Sequence, residues 1–356
     1  ARCPYPHALI FDPENQLETT VKKTTLMISK RLTCVSLLAS AMLTLMPSAA
    51  RAQAPLQEVT YLLPAPGTLP AFGPWMLAQA KGYYAQEGLN VKFVSGRGGV
   101  DVAKQIGAGN AVIGGAIGDT PIIARGQGIP VKAVAVLGAG SLMQLVSHKD
   151  ARIESPRELK GQVVTTTGYT DTTYYALLGM LSKSGLTKND LDIQSAGPAG
   201  VWQQFTAKKA VAMAAVPDWT ATAIAAGAKV DILPADVYFK SMAQAILASD
   251  ETIAKNPELI QKLVRATLKG MRDIMKDPKA AATAYVAHVP AHKGKEELIL
   301  QTFELYNKYV YANQKVLGQM DEGRLMDLQK FYVSNAIVPK EVAAKDLYTN
   351  KYVGLK

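Results

Sequence analysis

Two aspartates, Asp119 and Asp218, stand 99 residues apart in matching surroundings. A carboxylate between an apolar run and a helical one either caps the helix or accepts a hydrogen bond from an amine or a heterocycle N–H. Thr120 beside Asp119 adds a hydroxyl, and Trp219 beside Asp218 adds a ring that can stack on a planar solute. Ser95-Gly-Arg97-Gly-Gly99 is a glycine-rich loop with one cation. Arg97 offers a guanidinium fork to a carboxylate, sulfonate or phosphate, and the glycine spacing is not that of a dinucleotide fingerprint. In Pro66-Gly67-Thr68-Leu69, Gly67 lets the backbone approach a solute and Thr68 supplies a hydroxyl. Phe72 and Trp75 are candidate walls, with the core as their alternative place. Tyr169-Thr170-Asp171-Thr172-Thr173-Tyr174 gathers three hydroxyls at a helix start, with Asp171 as its N-cap. Ser141 falls at a crossover between two strand runs. Arg97 and the helix starts suit an anion, whereas the aspartates and nearby rings suit an amine-bearing or planar molecule. An amphoteric or heteroaromatic solute satisfies both; a bare inorganic anion such as nitrate would meet two carboxylates that repel it.

The same residues argue against catalysis. Beyond Cys3 and Cys34 the chain has no cysteine, hence no thiolate nucleophile or Cys-ligated metal there. His288 and His292 have i,i+4 spacing, but Pro290 between them breaks the helix that a metal pair needs. No G-x-S-x-G elbow and no Walker loop occurs. No catalytic, metal or cofactor site is therefore expected.

The elements that must position these residues alternate. Apolar runs over 59–63, 91–94, 111–117, 131–137, 163–166, 211–216 and 230–233 read as buried strands. Helical runs over 74–84, 101–108, 121–126, 172–184, 201–208 and 220–226 lie between them. Such alternation predicts α/β layers with largely parallel sheets. Aligning 102–131 with 201–230 without gaps gives ten identities in thirty positions, including Asp119/Asp218 and Gly128/Gly227. Each copy runs helix, apolar strand, Asp, helix, Gly, strand. The repeat is too long for a solenoid unit and predicts two similar lobes with a ligand between them at strand C-termini. Runs 142–147 and 243–248 are the crossovers. Beyond Ser249 the chain becomes helical, with helices expected over 257–276, 278–288, 295–309 and 322–333, packed on the first lobe.

Of the 356 residues, 48% are hydrophobic and 19% charged, which fits a globular protein. The net charge is +10, but its Lys and Arg are scattered without interleaved aromatics, so no nucleic-acid partner is expected. Met27–Arg31 reads as a basic n-region, 32–46 as an apolar core and Pro47–Ala52 as a small-x-small cleavage site. The expectation is a signal peptide over 27–52, cut after Ala52, behind an upstream or start-site segment over 1–26. The 15-residue apolar run over 32–46 is short for a bilayer span, and Cys34 is misplaced for lipidation, so no stable membrane insertion is expected.

Phe72-Gly-Pro-Trp-Met-Leu-Ala-Gln-Ala-Lys-Gly-Tyr-Tyr-Ala-Gln-Glu-Gly-Leu-Asn-Val91 resembles the opening of the nitrate/sulfonate/taurine-type substrate-binding proteins, a group that includes binders of thiamine-pyrimidine precursors. Gly126-Gln-Gly-Ile-Pro-Val-Lys-Ala-Val134 and Ser155-Pro-Arg-Glu-Leu-Lys-Gly161 resemble later segments of that family. The resemblance implies a type II periplasmic-binding-protein fold: two α/β lobes joined by a two-strand hinge, with a C-terminal helical segment on lobe one. It implies lobe one over 53–143, lobe two over 144–243 and a return to lobe one over 244–356. It further implies a monomeric periplasmic protein that hands a small organic solute to an ABC permease and its ATPase. A related enzymatic branch makes the thiamine pyrimidine precursor with a cysteine-rich motif that residues 53–356 lack. That synthase, and a periplasmic ligand sensor, are the alternatives.

Overall fold

The computed structural model describes residues 55–354; the segments read as upstream and signal sequence lie outside them. Ten strands form two five-stranded sheets among these residues. In the first, β1 (Gln57–Leu63), β2 (Leu89–Ser95), β3 (Ile113–Ile117), β4 (Val131–Val136) and β10 (Gln244–Ser249) take the order β2-β1-β3-β10-β4. In the second, β5 (Gln144–His148), β6 (Val163–Thr166), β7 (Asp192–Ser195), β8 (Ala212–Ala215) and β9 (Val230–Pro234) take the order β7-β6-β8-β5-β9. The two orders share one pattern. A central strand, β3 or β8, pairs parallel to β1 or β6 on one side. On its other side it pairs antiparallel to a strand arriving from a crossover, β10 or β5.

The sequence repeat maps onto this pattern. Helix Gly99–Gly107, β3, helix Thr120–Gly126 and β4 correspond to helix Gly197–Thr206, β8, helix Pro217–Ala225 and β9. Gly128 and Gly227 follow the second helix of each copy at φ +76° and +92°, where a side chain would be strained. β3 and β8 are rich in Gly and Ala (IGGAI and AMAA), and helices pack close on them. A Cβ on Gly114 would strike Val102 at 2.6 Å.

Three features depart from the sequence reading. The helix expected over 74–84 breaks at Gly82, which takes φ +68° and separates Gly73–Ala80 from Tyr83–Gln86. Strand β7 was not expected, because its four residues, DIQS, are a short polar edge with no apolar run. The C-terminal helices also reach further than lobe one. Pro257–Lys276 packs on Gly73–Ala80 so closely that a Cβ on Gly270 would strike the Pro74 carbonyl. Helix Glu296–Tyr306 lies instead against Pro217–Ala225 of the second lobe. Helix Glu322–Ser334 meets that lobe through Phe331 on Phe239 and Tyr332 on Tyr175, with ring centroids 4.7 and 5.5 Å apart. The helical segment therefore bridges both lobes.

Candidate functional site

The C-terminal end of β3, the helix start that follows β6 and the crossover segments converge on one buried region. At its centre a closed crevice, too tight to admit a water molecule, is lined by Ile117, Asp119, Leu142, Met143, Thr172, Thr173, Ser241 and Met242. The lining joins residues of the first lobe, both crossovers and a helix start of the second.

Asp119 is 1% exposed. It does not cap helix Thr120–Gly126; its Oδ2 accepts a hydrogen bond from the Tyr332 hydroxyl at 2.6 Å, and its Oδ1 has no partner. Burial pushes its pKa up to about 6 against the opposing effect of the Tyr332 hydrogen bond, and nearby Asp171 raises it further. Asp218 is likewise buried but lies inside its helix, whose N-cap is Val216, so the capping reading fails there too. Its Oδ1 accepts from the Tyr306 hydroxyl at 3.4 Å, and burial pushes its pKa to about 6 as well. Tyr306 stacks on Tyr311 with centroids 5.2 Å apart. The two repeat-related carboxylates are thus each met by a tyrosine from the C-terminal helices, and Asp218 receives its tyrosine across the lobe boundary.

Thr172 and Thr173 reach the crevice, held by Asp171, whose Oδ1 accepts from the Thr173 backbone N–H at 2.8 Å as an N-cap. Thr120 is buried beside Asp119, close under Gly99. Trp219 is half-buried between the two core clusters. Ser141 is buried at the first crossover, where its hydroxyl donates to Asp236 and accepts from Arg324 at 3.0 Å. Arg324 also pairs with Asp236 at 2.6 and 3.1 Å and donates to the carbonyls of Ser241 and Ala139 at 2.6 and 2.5 Å. One guanidinium thus pins both crossovers.

The other candidates are not gathered at the crevice. Phe72 and Trp75 are packed in the lobe-one core, edge to face with centroids 5.9 Å apart. Arg97 is exposed, and its loop is tied by its own backbone N–H to Asp101 at 2.9 Å. Tyr169 and Thr170 are exposed, and the Tyr169 hydroxyl donates to the Ile193 carbonyl at 3.0 Å. Gly67 packs on Leu63 and Met76. Thr68 is exposed, and its carbonyl accepts from Tyr285 and His292, each at 2.7 Å. Sequence reasoning missed Tyr175, Tyr306, Tyr311, Tyr332, Asp236 and Arg324. The run Tyr306-Asn-Lys-Tyr-Val-Tyr311, three tyrosines in six residues, was a signal available for two of them.

Comparison with known proteins places this architecture. The NMT1/THI5-like family model matches residues 69–281. The riboflavin-binding protein RibY of Chloroflexus aurantiacus is 27% identical over 86% of this chain and 88% of its own. A 4-amino-5-hydroxymethyl-2-methylpyrimidine phosphate synthase of Aspergillus parasiticus is 27% identical over 62% of this chain and 68% of its own. The crystal structure of the periplasmic aliphatic sulphonate-binding protein SsuA of Escherichia coli superposes with a TM-score of 0.68 at 16% identity, covering 83% of this chain and 99% of that one. The fold is that of the periplasmic binding proteins, and with more than half of its length matched by the family model, the chain belongs to the NMT1/THI5-like family.

Proposed function

We propose that this protein is a periplasmic solute-binding protein that captures a small organic solute between its two lobes and delivers it to an ABC importer. The observation that carries the reading is the crevice: two lobes meet there over a buried carboxylate oxygen with no partner, beside two threonine hydroxyls at a helix start. Asp119, Thr120, Thr172 and Thr173 are the nearest contacts. Asp218 and Trp219 complete the site on the second lobe. Gly67, Thr68, Arg97, Tyr169 and Thr170 contribute only as the lobes move, whereas Phe72 and Trp75 stay in the lobe-one core. Residues 144–243 form the moving lobe, and the solute favours closure by its differential affinity for the closed state. The bound form then docks on a permease and its ATPase as a monomer, after removal of residues 1–52. A planar heteroaromatic or amphoteric solute fits the carboxylate and the surrounding tyrosines best, in keeping with the riboflavin and pyrimidine named for the two relatives. Among the described residues no helix is long and apolar enough to cross a membrane.

A synthase reading draws on the second relative's name, but residues 53–356 contain no cysteine to serve the chemistry of that branch. Thermal-shift measurements against riboflavin, aminopyrimidines, taurine, alkanesulfonates, nitrate and aromatic carboxylates test the proposal. One class should raise Tm by about 5 °C at a hundredfold excess over its Kd. No response to any solute, with catalytic turnover of a pyrimidine precursor, would favour the synthase.

A further inference from the structure

Among the described residues, no lysine or arginine is buried, whereas Asp119 and Asp218 both are. Arg324 comes nearest, and it is committed to Asp236 and the crossover carbonyls. Arg97, the cation that the sequence offered for an anionic solute, is exposed. The crevice combines an apolar floor (Ile117, Leu142 and Met242) with Asp119, Thr172 and Thr173. Tyr332 occupies one oxygen of Asp119 and leaves Oδ1 buried without a donor. Asp171 adds a second negative charge close by, with its own Oδ1 committed to Thr173. A buried acceptor of this kind is matched by a donor hydrogen. An anionic group placed there would be desolvated beside like charge, with no buried cation to compensate it.

Resting on the solute-capture reading, we propose that the solute presents a hydrogen-bearing nitrogen to Asp119 Oδ1 and carries no anionic group at that end. An amidine, an amine or a ring N–H meets this requirement, and a sulfonate or carboxylate head does not. The chain would then differ in ligand chemistry from the sulphonate-binding protein whose fold it shares.

The test is calorimetric titration at pH 7.5 with four probes on one ring: benzamidine, benzamide, benzoate and benzenesulfonate. Benzamidine should bind tightest and benzamide next, with both anions at least tenfold weaker than benzamidine. Asp119→Asn, which keeps the side chain's shape, should weaken benzamidine at least tenfold. The wild-type order stands by itself if that variant folds poorly. An anion binding as tightly as benzamidine, binding by none of the four, or a variant within twofold of wild type would each overturn the assignment. Solute capture has a separate readout, the retained solute identified by mass spectrometry after purification. A retained molecule whose only polar group is a sulfonate would overturn this inference and leave capture standing.

Discussion

Acidification from pH 7.5 to 5 is expected to stabilise the folded protein, two buried carboxyls together contributing about 3 kcal/mol, offset in part by His288, whose pKa burial lowers. The source is the buried pair, Asp119 and Asp218, each pushed up to about 6 chiefly by burial. An unfolded aspartate titrates near 3.9. Between about pH 4 and 6, therefore, the folded chain holds protons that the unfolded chain has released. Stability rises as pH falls through that window and is lost again as pH climbs through 6. Each carboxylate contributes about 1.4 kcal/mol by pH 5 and about 3 when fully protonated. The carboxyls held below their usual range by hydrogen bonds and cations (Asp150, Asp190, Glu251 and Asp273) work in the opposite direction, but at pH values below the ordinary aspartate range. Urea unfolding at pH 7.5, 6 and 5 separates the two. Asp119→Asn and Asp218→Asn should each be more stable than wild type at pH 7.5 and should each remove about half of the pH slope. Stability that falls steadily with acid, in parallel for wild type and both variants, would contradict the burial of these charges.

Arg324→Met is expected to cost about 3 kcal/mol and to loosen the contact between the two crossovers. The guanidinium side chain is 10% exposed and is the shared donor for Asp236, Ser141 Oγ and the carbonyls of Ala139 and Ser241. Removing it leaves the Asp236 carboxylate with Ser141 as its remaining donor and strips the guanidinium from two crossover carbonyls; breaking a fully buried pair from one side costs about 3–5 kcal/mol. Asp236 is one third exposed, which places the expectation at the lower end. Arg324→Lys should recover part of the loss, because one ammonium cannot reach both crossovers with the fork geometry of guanidinium. The measurement is urea unfolding together with the inter-lobe distance by paired spin labels. A variant with native stability and native lobe spacing would remove Arg324 from the hinge.

The fold was readable because its signals are local and periodic. Apolar runs bounded by Gly, Pro and Asp placed nine of the ten strands. The 99-residue repeat foretold two lobes of one pattern, down to the glycines after the second helix of each copy. The missed strand, β7, has no apolar signal because it lies at a sheet edge. The site was readable only in part. Asp119, Thr172 and Thr173 follow strands at the ends that face the other lobe, and position along the chain is enough to find such residues. Their partners are long-range: Tyr332 is 213 residues from Asp119 and Tyr306 is 88 from Asp218. No spacing rule connects them. Trp75 and Arg97 illustrate the converse. Each has the chemistry of a contact, but helix packing turns Trp75 inward and the tight turn at Gly98 leaves Arg97 in solvent.

The most direct test of capture by closure is the distance between spin labels at Lys92→Cys and Lys188→Cys, exposed positions on the two lobes of a chain whose residues 53–356 contain no cysteine. The protein is stripped by unfolding and refolding, measured, and measured again after the small-molecule fraction released by unfolding is returned. Capture by closure predicts a broad, long distance distribution for the stripped protein and a single short distance once the solute is restored. A stripped protein already at the short distance, unmoved by the returned fraction, would contradict it.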